Sequence, residues 1–222
     1  MAIDFGNIGG NQPQQNTSGA NTTKISSVTL DLNKTVERGV SLDLSKTNSS
    51  LQNILIGLGW DKKMGGQNVD LDLCCFMTNE NGQLTSTQNV LFYGNMQSNG
   101  LALDKDNRTG EGDGDDEKIT GDLANIPSDI AHIYIVASIY EAEKNQQTFG
   151  DVENSFVRLV DQNKNEELMN TILRTDFSTE TSVIFGRLSR KNSSWEFHAI
   201  GNGYVADLNG IINIIANNHH TF

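Results

Sequence analysis

Residues 104–117 read Asp-Lys-Asp-Asn-Arg-Thr-Gly-Glu-Gly-Asp-Gly-Asp-Asp-Glu, which places seven carboxylates and three glycines in one short segment. No helix or strand accommodates such a run, and any compact conformation of it holds like charges close together. At an effective dielectric near 20, two unit charges about 4 Å apart repel by roughly 4 kcal/mol, so compaction needs a cation or carboxylate protonation. The glycines at 110, 112 and 114 permit positive φ and let backbone carbonyls approach an ion. Asn107 and Thr109 interleave neutral oxygen donors among the acids. Together these supply a hard oxygen cage of the kind calcium takes, with six to eight ligands. Zinc would want Cys or His, and the segment has neither. The spacing is not that of an EF-hand, whose fifth and sixth loop positions are an acid and glycine. Counted from Asp104, those places hold Arg108 and Thr109.

The whole chain has 222 residues and a formal net charge of -12. This length suits one domain with a tail and leaves ample chain for a core. The charge disfavours nucleic acid and anionic lipid as partners. Residues 101–117 alone contribute -5, seven acids less Lys105 and Arg108, so nearly half of the excess lies where ions are expected. Residues 1–24 are rich in Asn, Gln, Gly, Thr and Ser and read as a flexible polar tail, with the domain spanning 25–222. The two cysteines, Cys74 and Cys75, are neighbours in an apolar stretch and read as buried thiols of a reducing compartment. No run is apolar and long enough to span a membrane, and the N-terminus lacks the pattern of a secretory signal. The expected location is therefore the cytoplasm.

From residue 25 onward the hydrophobic period is two, the period of strands. It shows in Val28, Leu30 and Leu32, in Val40, Leu42 and Leu44, and in Ile54, Ile56, Leu58 and Trp60. Between Val69 and Met77 one face carries Val69, Leu71, Leu73, Cys75 and Met77, and the other carries Asp70, Asp72, Cys74 and Phe76. His132 to Tyr140 is apolar on both faces, as in a central strand, and Phe156 to Val160, Val183 to Leu188 and Trp195 to Ile200 supply further strands. Asn81-Gly82, Asn99-Gly100 and Asn202-Gly203 read as turns. Only about 206–216 looks helical. These features predict an all-β fold, a two-sheet antiparallel β-sandwich with a short C-terminal helix and ligand-binding loops at one end.

Gly57-Leu58-Gly59-Trp60-Asp61, Asp70-Leu71-Asp72, Asp106 through Glu117 and Gln147-Thr148-Phe149-Gly150 follow one another along the chain in that order. With them, the sequence from about Gly39 to Leu208 resembles the TerD family of tellurium-resistance and stress-response proteins. That resemblance implies a calcium-binding β-sandwich without known catalysis, credited with about two Ca2+ ions. It implies action with sibling Ter-type proteins or a membrane-associated complex near the inner face of a membrane. Carried over position by position, the ligand candidates are Asp106, Asn107, Glu111, Asp113, Asp115, Asp116 and Glu117, with Asp61, Asp70 and Asp72 converging on the same ions. Tyr140-Glu141 departs from the His-Asp pair of close relatives.

Other constellations carry less. The glycines of the loop resemble a phosphate cradle, but its carboxylates would repel a phosphate and the loop lacks a lysine after Lys105. The carboxylates crowd in one segment instead of facing each other across a cleft, and no nucleophile elbow or paired thiol and imidazole is present. The expectation is therefore a non-enzymatic calcium-binding stress-response protein. The alternative is a module in which calcium bridges a small anionic ligand, such as a cyclic nucleotide or a sugar, to the protein.

Overall fold

The computed structural model describes residues 24–25, 28–29, 41–43, 51–192 and 194–222. The expected tail lies outside these residues apart from Lys24, as do Leu30, Leu32, Val40 and Leu44 of the early strand pattern. Lys24–Ile25 and Val28–Thr29 (β1 and β2) pair with each other as a small antiparallel hairpin.

Twelve further strands form two six-stranded antiparallel sheets. The front sheet runs β3 (Ser41–Asp43), β14 (Ser194–Tyr204), β13 (Ser182–Lys191), β10 (His132–Ile139), β5 (Leu71–Thr78) and β6 (Val90–Leu91). The back sheet runs β12 (Glu166–Ile172), β11 (Val152–Asp161), β4 (Asn53–Lys62), β9 (Glu117–Asp122), β8 (Leu101–Leu103) and β7 (Gln97–Ser98).

The alternating apolar residues explain how the sheets meet. Ile54, Ile56, Leu58 and Trp60 of β4 join Leu71, Leu73, Cys75 and Met77 of β5 in one buried core, together with Ile133, Ile135 and Ala137 of β10. This is the inter-sheet layer of a β-sandwich. The other faces of β5 and β10 are apolar too, and the C-terminal helix Leu208–Asn218 covers them. Its Leu208, Ile211, Ile212 and Ile215 pack with Cys74, Phe76, Tyr134 and Val136. Asp207 caps that helix through its side chain, accepting from the Gly210 N–H at 2.8 Å. Cys74 and Cys75 thus point into different layers, and both are free and buried.

The turn expectations divide. Asn99 and Gly100 both have positive φ, 48° and 86°, and form the two-residue hairpin joining Ser98 to Leu101. Asn202-Gly203 is no turn. Both residues lie within β14, paired with Ile184 and Val183, and the register shift beside Gly201 (φ 57°) makes this a bulge. A glycine serves both purposes, since the turn at Gly100 and the bulge at Gly201 each need a residue that tolerates positive φ.

Candidate metal centre

The acidic segment enters β9 and lies along β4. Asp116 donates its N–H to the Leu58 carbonyl at 2.8 Å, and its Oδ2 accepts the Trp60 N–H at 2.9 Å. Beyond it, Glu117 stands opposite Leu58 in the β4–β9 ladder. Glycines on β4 make room for this. A Cβ on Gly57 would overlap the Asp115 carboxylate, and one on Gly59 would overlap the Gly114 carbonyl and the Phe156 ring. The Gly-Leu-Gly-Trp-Asp motif is therefore a notch that seats the loop against Gly57 and Gly59, while Leu58 and Trp60, alternating with them, face the core. Gly110, at φ 64°, passes so near Trp60 that a Cβ there would lie 2.5 Å from its Nε1.

Asn107 organises the loop itself. Its Oδ1 accepts the N–H groups of Thr109 and Gly110 at 3.1 and 3.2 Å, while its Nδ2 donates to Asp116 Oδ1 at 3.0 Å. Its own N–H donates to Glu117 Oε1 at 3.1 Å, and Glu117 Oε2 accepts the N–H of Leu73 on β5 at 2.8 Å. Glu117 therefore ties the back sheet to the front sheet, at a point of β5 that the two-residue β6 does not reach.

This tie brings the loop against the start of β5. Asp70, Asp72 and Asp106 each turn one carboxylate oxygen inward, and the three oxygens lie within 4.8 Å of one another. Asp72 is 3% exposed, and no described residue donates a hydrogen bond to its carboxylate. Asp70 Oδ1 is buried without a partner as well. Loss of hydration, with the charges of Asp70 and Asp106 added, pushes Asp72 up to about 8. Burial, then the charge of Asp106, pushes Asp70 up to about 6. Burial also dominates at Glu117, which rises to about 9 despite its two backbone donors. Unpaired buried carboxylates are costly unless a cation or a proton neutralises them.

The other expected ligands sit elsewhere. Asp115 receives both prongs of Arg158, Nε and Nη2, at 2.8 Å each, and its carboxylate is an anchor for the loop on the back sheet. Asp61 accepts from Asn154 Nδ2 at 2.6 Å. Glu111 and Asp113 are exposed at the loop tip. Of the ten candidates, the structure thus gathers three carboxylates at one point, places Asn107, Asp116 and Glu117 in the network behind them, and leaves four apart.

Two aromatic residues that the sequence did not mark as functional adjoin the cluster. Tyr140 donates its N–H to the Asp70 carbonyl at 2.8 Å. Tyr93 packs edge-on against Tyr140 with ring centroids 5.6 Å apart, and its hydroxyl is buried without a partner. Burial and the charge of Asp72 push that hydroxyl up to about 12. Sequence offered no signal for Tyr93, which lies in an irregular segment after β6.

A profile of the TerD domain matches residues 32–214. The chain belongs to the TerD family. Its relatives include a tellurium resistance protein TerD of Alcaligenes sp, 40% identical over 176 residues that cover 78% of this chain and 92% of that protein. They also include General stress protein 16U of Bacillus subtilis (strain 168), 42% identical over 175 residues, 77% of this chain and 91% of that one. Among solved structures, a homologue of the telluride resistance protein TerD from Streptomyces coelicolor A3(2) superimposes with a TM-score of 0.61. It is 20% identical and covers 73% of this chain and 96% of that one, so it speaks for the fold. The remaining TerD-like motif, Gln147 to Gly150, is structural here. Gln147 Nε2 donates to the Asn68 carbonyl at 2.8 Å, which fixes the backbone just before Asp70, and Phe149 is fully buried. Among the described residues no helix is long and apolar enough to cross a membrane.

Proposed function

We propose that this TerD-family protein is a non-enzymatic stress-response protein that binds calcium where Asp70, Asp72 and Asp106 converge. The observation that carries the reading is the carboxylate of Asp72, buried, without a donor among the described residues, and close to two other acids. Calcium–oxygen distances of 2.3–2.6 Å mean that two oxygens on one ion are separated by at most about 5 Å. The three oxygens meet that limit. Three carboxylates suit a hard ion, and a flexible glycine loop suits calcium better than the rigid octahedron of magnesium. Asn107, Asp116 and Glu117 hold the loop so that Asp106 reaches β5. When bound, the ion supplies positive charge that locks the loop to both sheets. A second ion near the loop tip, using Glu111 and Asp113, is the further part of this reading.

The role in tellurite or general stress resistance is inferred from the family and from relatives named for those responses. Two free, buried thiols fit a reducing compartment such as the cytoplasm. Sibling Ter-type proteins, or a complex at the inner face of a membrane, are the partners this reading favours, and the ion-stiffened loop end is the surface offered to them. A second reading rests on Tyr93, whose buried hydroxyl lacks a partner beside the acids. Three carboxylates leave positions on a six- to eight-coordinate ion, and an anionic small molecule bridging ion and hydroxyl would fill one.

Thermal melts of metal-stripped protein test the main reading. Calcium should raise the Tm by an amount that grows with the logarithm of its concentration, and equal magnesium should do much less. An unchanged Tm at millimolar calcium would refute it.

A further inference from the structure

The acid cluster already holds one cation of its own. Arg108 folds back over the loop so that Nε and Nη2 both donate to a single oxygen, Asp106 Oδ2, at 3.0 and 2.9 Å. Asp106 is one of the three converging acids, and Arg108 is close enough to Asp70 for their charges to interact. The guanidinium side chain is 73% exposed, whereas that of Asp106 is 23% exposed.

We propose that Arg108 is a displaceable counterion, which tempers calcium affinity and is released toward solvent when the ion binds. This rests on the calcium-binding reading above. The two N–H groups use the lone pairs of Asp106 Oδ2, and a divalent ion seated on the same carboxylate would face a fixed positive charge nearby. An exposed ion pair is weakly held, so calcium, drawing on three carboxylates, outcompetes it. Arg108 neutralises only part of the cluster, since Asp70 Oδ1 has no partner and no described residue donates to Asp72. It therefore offsets part of the charge when the ion is absent without satisfying the site. Ion occupancy is then read at the surface as a freed guanidinium, a group suited to an acidic partner.

A purely structural Arg108, needed only to orient Asp106, predicts the opposite effect on binding. The test is a calcium titration by calorimetry of metal-stripped wild type, R108Q and R108K. In parallel, the Arg108 Nε–H resonance of the wild type is followed by NMR. R108Q should bind calcium about three- to tenfold tighter, from loss of both the competing bond and the repulsion. R108K, which keeps the charge but not the fork, should fall between. The Nε–H resonance should move to the position of a solvated arginine as calcium saturates. Equal or weaker binding by R108Q, or an unmoved resonance at saturation, would overturn the role given to Arg108. A wild type that takes up no calcium would instead overturn the reading on which it rests.

Discussion

Stripped of divalent cations, the protein is expected to lose thermal stability as the pH rises from 6.5 to 8.5, against the usual behaviour of carboxylates held by positive partners. The sign follows from the direction of the shifts. Asp72 and Glu117 titrate at about 8 and about 9 in the folded protein, against 3.8 and 4.5 for the free groups. The folded state therefore binds protons that the unfolded state has already lost. Their stabilising effect is complete at low pH and disappears as the pH climbs through the folded values. Each such group costs up to about 1.4 kcal/mol per pH unit in this window. Two of them over two units should lower the Tm on the order of 10 °C in a chain of this size. His132 does not confuse the result. Burial and the charge of Arg187 lower it to about 4, so its contribution is lost only as the pH falls below 6.5. Saturating calcium should flatten the profile, because the ion replaces the protons. Melting curves across the pH range, with and without calcium, measure both effects. A flat or rising profile in the stripped protein would show that these acids are not held as described.

Gly59→Ala should be the most damaging small substitution. Gly59 sits in a regular strand, so the objection to a side chain is spatial. The added carbon would meet the Gly114 carbonyl, which is backbone, and the Phe156 ring, which is 1% exposed and has nowhere to turn. Relief requires the loop to lift off β4, which breaks the Asp116 to Leu58 and Trp60 hydrogen bonds. Overpacking of this kind costs about 3 kcal/mol. Calcium affinity should fall with it, since the displaced loop carries Asp106 away from Asp70 and Asp72. The denaturation midpoint and a calcium titration of the same variant report the two losses separately. A wild-type midpoint would mean that the glycine notch does not seat the loop.

Much of the fold was legible because strand alternation and burial obey the same period. Ile54, Ile56 and Leu58 face the core as their spacing requires, and the doubly apolar β10 is central because the C-terminal helix covers its second face. The misread Asn202-Gly203 shows the limit, since the pair is laddered within β14 and the positive φ belongs to Gly201 before it, at a bulge. The site was legible as a segment and not as a geometry. An acidic glycine loop raises the expectation of a cation, but which acids meet depends on sheet packing. Asp106 reaches Asp70 and Asp72 from more than thirty positions away, and Asp115 is engaged by Arg158 on β11. Local sequence holds no record of either pairing. The two β4 glycines were visible as a motif, yet their purpose appears only with Gly114 and Asp115 lying above them.

The most direct test is a calorimetric calcium titration of metal-stripped wild type and Asp72→Asn, in millimolar magnesium. The substitution keeps the shape of the side chain while removing a buried charge that Arg108 offsets only in part. The wild type should give saturable heat, and the variant should lose it while melting higher than the stripped wild type at pH 8. Equal calcium binding by both proteins, or none by the wild type, would contradict a cation site built on Asp70, Asp72 and Asp106.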